Sequence, residues 1–272
     1  MSDQNRYRKF QAIVWQYFAQ HGRSMPWREP GADGQFDPYK IMVSEVMLQQ
    51  TQVSRVIPKF NQFMAVFPDI KTLAQASQGD VLRTWSGLGY NRRAKYLHQA
   101  AQATMEKYGG TLPHDMEKLK TLPGIGPNTA AAICVYSFNQ PLVFIETNIR
   151  TVYLHHFFAD QQAVRDRTLE PIIAATLDKT DPRRWYWALM DYGAYLKSVH
   201  ANPARRSHHH NVQTKFEGSV RQIRGQVIRL LAERPLTASD LQQQIGDNRL
   251  PYVLEQLTAE GLIHQAGQYF NL

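Results

Sequence analysis

Apolar residues recur every three to four positions along most of this chain, which is the spacing of one face of an α-helix. The pattern starts near the N-terminus with Phe10, Ile13, Val14, Tyr17 and Phe18. It continues through residues 41–53, 58–67, 73–85, 92–108 and 116–121, and short stretches with Gly or Pro separate these segments. No run before residue 260 shows the apolar–polar alternation of a half-buried strand. The pattern therefore predicts a mostly α-helical protein.

The C-terminal part of the chain has a different order of elements. A helical segment at 220–233 is followed by a second helix, which opens with the capping sequence Thr237-x-x-Asp240, and by a third at 250–260. Two short strand candidates, 261–263 and 269–270, follow around a glycine turn. Three helices and a β-hairpin are typical of a winged helix, a variant of the helix-turn-helix. A packing module without DNA contact is the alternative.

These patterns divide the chain into three parts. Residues 1–197 are expected to form the main helical domain, and the polar, basic stretch 198–219 is expected to be a linker. Residues 220–272 are expected to form the winged-helix domain. The predicted core of that domain contains Leu254, Leu257, Leu262 and Ile263.

The charge of the chain indicates a polyanionic partner. Lys and Arg number 31 against 23 Asp and Glu, which gives a net charge of +8. Between residues 197 and 234 there are eight cations and only two anions, so this segment carries six of those charges. Such a patch attracts phosphate without reading base sequence, and Arg205 and Arg206 are its candidate DNA contacts. A solvated linker whose charges only aid solubility is the alternative.

Composition excludes several classes of protein. With 43% hydrophobic and 20% charged residues, the chain is not a disordered one. No apolar run reaches the roughly 18 residues that cross a bilayer. The single cysteine, Cys134, can form neither an internal disulfide nor a four-thiolate zinc or iron–sulfur site. We expect a monomeric, cytoplasmic, nucleoid-associated protein that binds double-stranded DNA and no membrane.

The strongest local signal is the run Leu122-Pro123-Gly124-Ile125-Gly126-Pro127. Pro123 ends the preceding helix, Gly124 permits a positive φ angle, and Pro127 suits the first turn of the next helix. Backbone N–H groups at that helix start can bind phosphate, and a monovalent cation at Leu122 and Gly124 can assist. The run predicts a helix-hairpin-helix that holds the DNA backbone through Leu122, Gly124, Ile125 and Gly126. An ordinary turn between helices is the alternative.

Several other stretches accompany this hairpin. They are Pro26-Trp27-Arg28, the run Ser44-Glu45-Val46-Met47-Leu48-Gln49-Gln50-Thr51-Gln52, and the segments 85–94, 144–152 and 188–193. Together with the hairpin they resemble the helix-hairpin-helix (HhH-GPD) DNA glycosylase superfamily, most of all its MutY-type adenine glycosylases. The likeness covers about residues 8–197, in the family's order and spacing. It implies a two-lobed helical fold with the active site between the lobes.

The resemblance implies three catalytic residues. Glu45 corresponds to the family's catalytic acid, which protonates the adenine ring and then handles the water. Glu146 stands where the family has a second carboxylate, normally Asp. Asn148 corresponds to an amide that orients Glu45 or the water.

The resemblance also implies residues that hold the DNA. Arg28 corresponds to a residue near the flipped base, and Asn128 to a pocket position. Gln50 corresponds to the wedge that fills the space left by the extruded base. Leu88 and Tyr90 correspond to side chains that enter the stack near the opposite base; core packing is the alternative for Leu88.

The chemistry of glycosidic cleavage is consistent with two different carboxyl groups. The leaving base gains negative charge and the sugar gains positive charge, so one group should be protonated and the other ionised. Glu45 lies in an apolar run, where burial raises a carboxyl pKa. Glu146 precedes a helix start, which favours the anion. The alternatives are a Glu45 satisfied by Arg28 or a backbone amide, and a Glu146 that only caps a helix.

Departures from the family pattern refine the prediction. Asn128 occupies the place of the Schiff-base Lys of bifunctional relatives, which implies a glycosylase without lyase activity. The four cysteines of the family's [4Fe–4S] cluster are absent, so we expect no cofactor and a cluster region held by ionic or packing contacts. Because residues 220–272 have the winged-helix pattern, we also expect them not to form the family's 8-oxoguanine-reading C-terminal domain. Glu146 replaces Asp.

The sequence therefore predicts a monofunctional DNA glycosylase of base excision repair that removes a mispaired or damaged base. Adenine is the base that the resemblance favours. Two alternatives stay open. One is the same chemistry on uracil or thymine opposite guanine. The other is a DNA-binding protein that has lost catalysis.

Overall fold

The computed structural model describes residues 3–209 and 215–272. Within them the chain is mostly helical, as predicted. The helices are α1 Asp3–His21, α2 Pro38–Leu48, α3 Val53–Val66, α4 Ile70–Gln75, α5 Gln78–Trp85, α6 Arg92–Tyr108, α7 Met116–Leu119, α8 Pro127–Phe138, α9 Thr147–Phe157, α10 Asp166–Thr176, α11 Pro182–Val199, α12 Val220–Glu233, α13 Ala238–Ile245 and α14 Leu250–Ala259. The strands are β1 Leu236–Thr237, β2 His264–Ala266 and β3 Tyr269–Asn271. None of the helices in this described part is long and apolar enough to cross a membrane.

The described residues form two compact units. The first unit contains residues 3–41, 114–116 and 126–209, and the second contains 42–113, 117–125 and 215–272. The C-terminal helices and strands therefore belong to the same unit as α3 to α6. The division at residues 197 and 219 stays a prediction.

The core of the first unit is aromatic, and α11 packs in it against α1 and α9. The ring of Phe10 lies 5.2 Å from that of Tyr153 and 5.9 Å from that of Trp185. Gly193 makes the close approach of α11 to α9 possible, because a Cβ there would lie 2.8 Å from the carbonyl carbon of Asn148. This packing holds the first turn of α9 directly against α11.

The core of the second unit lies among α3, α5 and α6, with α12 packed on α5. Phe63, Trp85 and Leu97 are almost fully buried there. The three strands form one antiparallel sheet in the order β1-β3-β2. Phe270 of the central strand β3 pairs with Leu236 of β1 on one side and with Gln265 of β2 on the other.

Three of the predicted helices differ from the observed ones. The helix predicted over 41–53 ends at Leu48 and restarts at Val53, because the carbonyl groups of Val46, Met47 and Gln49 accept from Arg93. The helix predicted over 73–85 is two helices, since the Ser77 hydroxyl caps α5 by accepting from the Asp80 N–H. α3 begins before Pro58, which lies inside it.

The C-terminal helices and hairpin agree with the predicted winged-helix order. Thr237 and Asp240 form the expected capping box at the start of α13. Leu254, Leu257, Leu262 and Ile263 are buried as predicted. The strand expected at 261–263 lies instead at His264–Ala266, because Gly261 adopts a positive φ of 61° at the end of α14.

Candidate active site

The glycine-rich run forms a tight hairpin between α7 and α8. The Ile125 N–H donates to the Leu122 carbonyl at 3.1 Å, and Gly124 has a φ of 76°. A Cβ on residue 124 would lie 2.7 Å from the Cβ of Tyr96, so glycine is required for both conformation and space. Leu122 and Ile125 are buried and anchor the hairpin, whereas the backbone of Gly124 and Gly126 is exposed.

The second helix of this hairpin begins as predicted. Gly126 is the N-cap of α8 and Pro127 occupies its first turn. An exposed glycine N-cap leaves the backbone of a helix start accessible to an anion. The cation expected at Leu122 and Gly124 stays a prediction.

Glu146 lies in the first unit as the N-cap of α9. Among the described residues, no N–H of the first helical turn donates to its carboxylate. Burial raises the pKa of Glu146 above its ordinary value, and the nearby cations Arg150 and Lys197 oppose this rise. No hydrogen bond from the helix start therefore supports the expected anion, and the side chains that favour the anion are Arg150 and Lys197. The ionised state of Glu146 stays a prediction.

Asn148 follows in the first turn of α9 and is held from α11. The Nζ atom of Lys197 donates to the Oδ1 atom of Asn148 at 2.6 Å. Burial and Arg150 lower the pKa of Lys197, while Glu146 raises it. Arg150 in turn makes a two-bond ion pair with Asp166, at 2.6 Å and 2.7 Å. Carboxylate, amide and two cations thus form one electrostatic cluster.

Asn128 in α8 is joined to the loop that carries Glu146. Its Nδ2 atom donates to the carbonyl of Ile145 at 3.1 Å. A cavity of about 560 Å³ adjoins this bond and is lined by Asn128, Val143, Phe144, Ile145, Asp166, Glu170, Pro171 and Ala174. The bond couples the hairpin helix to the residue directly before Glu146.

Arg28 forms a buried ion pair with Asp191. Its two terminal nitrogens each lie 2.9 Å from the carboxylate of Asp191, which also accepts three hydrogen bonds from Arg23. Burial raises the pKa of Asp191, but the two arginines outweigh it and hold that pKa below its usual range. The Arg28 side chain is only 8% exposed, and its contact with a flipped base stays a prediction.

Glu45 lies in α2, in the second unit. It is partly exposed, and its neighbours Ser44, Val46 and Met47 are buried. Glu45 and Glu146, the two carboxyl groups that the sequence pairs, belong to different units. Their joint action on one nucleotide stays a prediction.

Two of the predicted DNA-inserting residues have left-handed backbone conformations. Gln50 has a φ of 54° and Tyr90 a φ of 49°, and both side chains are exposed. Residues other than glycine rarely adopt such angles unless the surrounding structure imposes them. Leu88, by contrast, is only 3% exposed and packs in the core. Of the pair expected near the opposite base, Tyr90 alone projects outward.

Arg93 ties the turns of Gln50 and Tyr90 together. Its Nη1 and Nη2 atoms donate to oxygen atoms of Val46, Met47, Gln49, Thr51, Leu88 and Gly89. Its guanidinium lies over the rings of Trp85 and Tyr90. Burial lowers the pKa of Arg93 to about 10, which leaves it a cation at neutral pH.

Comparison with known proteins identifies the family. Residues 43–172 match a model described as HhH-GPD superfamily base excision DNA repair protein. An adenine DNA glycosylase of Mycolicibacterium smegmatis is 33% identical over 265 residues, which cover 89% of this chain and 88% of that protein. The chain belongs to the HhH-GPD superfamily. An adenine DNA glycosylase of Mycobacterium tuberculosis is also 33% identical, over 84% of this chain and 80% of that protein.

A solved structure extends the likeness to three dimensions. A thermostable thymine-DNA glycosylase superposes with a TM-score of 0.63 at 19% identity, and covers 74% of this chain and 91% of that chain. At this level of identity the likeness concerns the fold. The structure thus has the HhH-GPD fold that the sequence resemblance implied.

The residues present do not fit the four-thiolate cluster that many HhH-GPD proteins carry. Cys134 is the single cysteine; it is buried in α8, and burial raises the pKa of its thiol to about 11. Other contacts order the region after α11. The Val164 N–H donates to the Arg206 carbonyl and the His208 N–H to the Val164 carbonyl, both at 3.0 Å.

The predicted phosphate patch is not one group of exposed cations. Arg206 donates to the carbonyl groups of Phe158 and Ala159, while Arg205 is exposed. Lys197 is held at Asn148, and Arg224 pairs with Glu260. Of the three adjacent histidines 208–210, the last lies outside the described residues. Residues 3–209 and 215–272 contain no group of three His, Cys, Asp or Glu side chains that could hold a metal ion.

Sequence reasoning missed the roles of Lys197 and Arg93. Each carries a weak signal that it faces the protein interior. Arg93 shares a helix face with Leu97 and Thr104, both buried, and Lys197 lies one turn after Gly193 on the face that meets α9. A cation on the apolar face of a helix is a candidate for a buried network.

Proposed function

We propose that this HhH-GPD protein is a monofunctional DNA glycosylase that hydrolyses the bond between adenine and deoxyribose in mispaired DNA. The observation that carries the proposal is its 33% identity, over 89% of the chain, to an enzyme named adenine DNA glycosylase. The arrangement of residues around α9 and around the turns of Gln50 and Tyr90 supports it.

In the proposed reaction Glu45 donates a proton to the ring of the flipped adenine. Proton donation neutralises the charge that the base gains as the bond breaks. Glu146 in its ionised form then stabilises the positive sugar. Lys197 and Arg150 favour the ionised form of Glu146, because each lowers its pKa against the rise that burial causes. Asn148, fixed by Lys197, orients the water that attacks the sugar, and the Glu45 carboxylate left after the first step accepts the proton of that water.

The DNA is held by backbone and wedge contacts. The exposed backbone of Gly124 and Gly126 binds a phosphate, which positions the strand without reading its sequence. Gln50 fills the space left by the extruded base, and Tyr90 enters the stack near the opposite base. Flipping costs a few kcal/mol, which inserted side chains partly offset.

The proposal also includes two absences and an oligomeric state. Asn128 has no amine, so no Schiff base forms at its position and the product is an abasic site. No iron–sulfur cluster is bound, because one cysteine cannot supply four thiolates. The protein acts as a monomer on nucleoid DNA.

A panel of duplexes tests the proposed function. Purified protein is incubated with A:8-oxoguanine, A:G, G:U and G:T duplexes under single-turnover conditions, and base release is measured. We expect release of adenine. Release of uracil or thymine alone would show that the substrate is one of these bases and not adenine. Tight binding without release would indicate a protein that has lost catalysis.

Glu45→Gln tests the catalytic acid in the same assay. The amide cannot donate a proton, so we expect the release rate to fall by about 10²–10⁴-fold. The matched control is Glu106→Gln, which changes an exposed carboxyl group of α6 in the same unit. Equal rates for both variants would contradict the assigned acid.

Borohydride reduction tests the absence of lyase activity. We expect no covalent protein–DNA adduct. A trapped adduct would contradict this feature, and Lys197 would be the first residue to replace, since its amine lies beside Asn148 and Glu146.

A further inference from the structure

The C-terminal module, residues 215–272, contacts a predicted DNA-inserting residue directly. The Nη1 atom of Arg221 in α12 donates to the Tyr90 hydroxyl at 2.8 Å. The Arg221 guanidinium also lies 5.9 Å from the centre of the Tyr90 ring. Tyr90 is 39% exposed, so this contact is made at the protein surface.

Tyr90 is thereby held between two arginines. Arg93 lies 5.5 Å from the ring centre, and its guanidinium also bonds the backbone carbonyls of Leu88 and Gly89. Arg221 binds the far end of the side chain, at the hydroxyl. An exposed tyrosine with a positive φ is fixed at its base by one residue and at its tip by another.

The start of α12 is itself fixed to the rest of the second unit. Arg224, one turn after Arg221, makes two hydrogen bonds to Glu260, and Arg92 binds the same carboxylate at 2.6 Å. Lys95 donates to the Glu260 carbonyl at 2.5 Å. The helix that carries Arg221 is therefore held in place by ion pairs and hydrogen bonds beside Tyr90.

We propose that Arg221 is a positioning residue that orients Tyr90 for insertion into the DNA stack, which makes the C-terminal module a working part of the DNA interface. This inference rests on the proposed function. Its physical basis is preorganisation, because a ring held in one orientation before binding loses less conformational freedom on insertion. The module takes on this role in addition to any phosphate contact of its cations.

A double-mutant cycle separates positioning from general charge attraction. The variants are Arg221→Ala, Tyr90→Phe and the double variant. Tyr90→Phe keeps the ring and removes only the hydroxyl that Arg221 binds. The probe is a duplex with a stable abasic-site analogue and with 2-aminopurine opposite it, whose fluorescence rises when that base is unstacked.

We expect each single change to weaken binding, Arg221→Ala by about fivefold and Tyr90→Phe by about threefold, because a hydrogen bond to a charged group is lost in both. The double variant should be no weaker than Arg221→Ala, since the two residues share one interaction. The 2-aminopurine signal of the bound duplex should fall in the variants that lose Arg221.

Arg229→Ala is the matched control. Arg229 is an exposed cation of the same helix, so its loss removes the same charge. Its effect should multiply with that of Tyr90→Phe and leave the 2-aminopurine signal at the wild-type level. Thermal unfolding of all variants checks that they are folded.

Multiplicative losses for Arg221→Ala and Tyr90→Phe, or an unchanged 2-aminopurine signal, would overturn the inference. Failure of folded wild-type protein to bind the duplex would overturn it together with the proposed function. Binding without release of any base contradicts the proposed function alone, and the cycle still decides the role of Arg221.

Discussion

The role of a single charged residue depends on what surrounds it, and Lys197 is the clearest case. In the sequence it is the first of eight cations in a basic segment. In the structure its amine is partly buried and donates to Asn148 at 2.6 Å. The same charge that would attract a phosphate at the surface instead lowers the pKa of Glu146.

Lys197→Met tests this electrostatic role. Lys197 lowers the pKa of Glu146, so its removal should raise that pKa further and protonate the carboxylate at a higher pH. We expect the acid limb of the pH–rate profile for base release to move to higher pH. Single-turnover rates across the acid range measure it.

The matched control is Lys179→Met, which removes an exposed lysine from the same unit. Its acid limb should coincide with that of the wild type. If the pH–rate profile of Lys197→Met coincides with those of the wild type and of Lys179→Met, Lys197 does not influence the ionisation that limits the rate.

At the scale of elements, the closeness of two helices depends on one missing side chain. α11 approaches α9 at Gly193, where a Cβ would overlap the backbone of Asn148. The approach places Lys197, one turn later, against the Asn148 side chain. The glycine therefore matters for the site as well as for packing.

Gly193→Ala should destabilise the fold by about 1–3 kcal/mol, as overpacking of a close helix contact does. It should also lower the rate of base release, because α9 carries Glu146 and Asn148. Denaturant unfolding and single-turnover kinetics measure the two effects.

Gly225→Ala serves as the opposite case. Gly225 is a helical glycine of α12, and a Cβ added to it would meet no other atom within 4 Å. Alanine there should stabilise the fold by about 0.5–1 kcal/mol through helix propensity alone. Similar effects of the two alanines would contradict the assigned role of Gly193.

At the scale of the whole molecule, the C-terminal module is joined to a unit that begins far earlier in the chain. Glu260 is the centre of this connection, with ion pairs to Arg92 and Arg224. Gln78 adds a hydrogen bond to the carbonyl of Gly261 at 2.6 Å. We expect the module and residues 42–113 to unfold together.

Glu260→Ala should reduce the free energy of unfolding by about 1–3 kcal/mol at neutral pH, because it leaves the mostly buried Arg224 without its carboxylate partner. Burial raises the pKa of Glu260, but hydrogen bonds from Arg92 and Arg224 outweigh it and lower that pKa. The contribution of Glu260 is therefore fully present above its ordinary pKa and is lost as the pH falls from there through the lowered pKa.

Unfolding at pH 7 and pH 3 measures this effect, and the difference between wild type and variant should shrink at pH 3. Glu255→Ala, an exposed carboxyl group of α14, is the control and should change little at either pH. An equal loss for both variants would refute the role of Glu260.

Features whose signals are local could be predicted from the amino-acid sequence alone. The helical period, the Thr237–Asp240 capping box and the glycine hairpin before Pro127 each lie within a few residues, and each is present in the structure. The family follows from such short motifs in their order. Local backbone preferences and side-chain spacing suffice for these predictions.

Which side chains act together became visible only in the folded chain. The break of the predicted helix at Gln50 depends on Arg93, and the orientation of Tyr90 depends on Arg221, far along the chain. The surroundings of Glu146 likewise depend on Lys197. Such contacts join residues that are distant in sequence, and burial and charge at these sites arise only when the chain has folded.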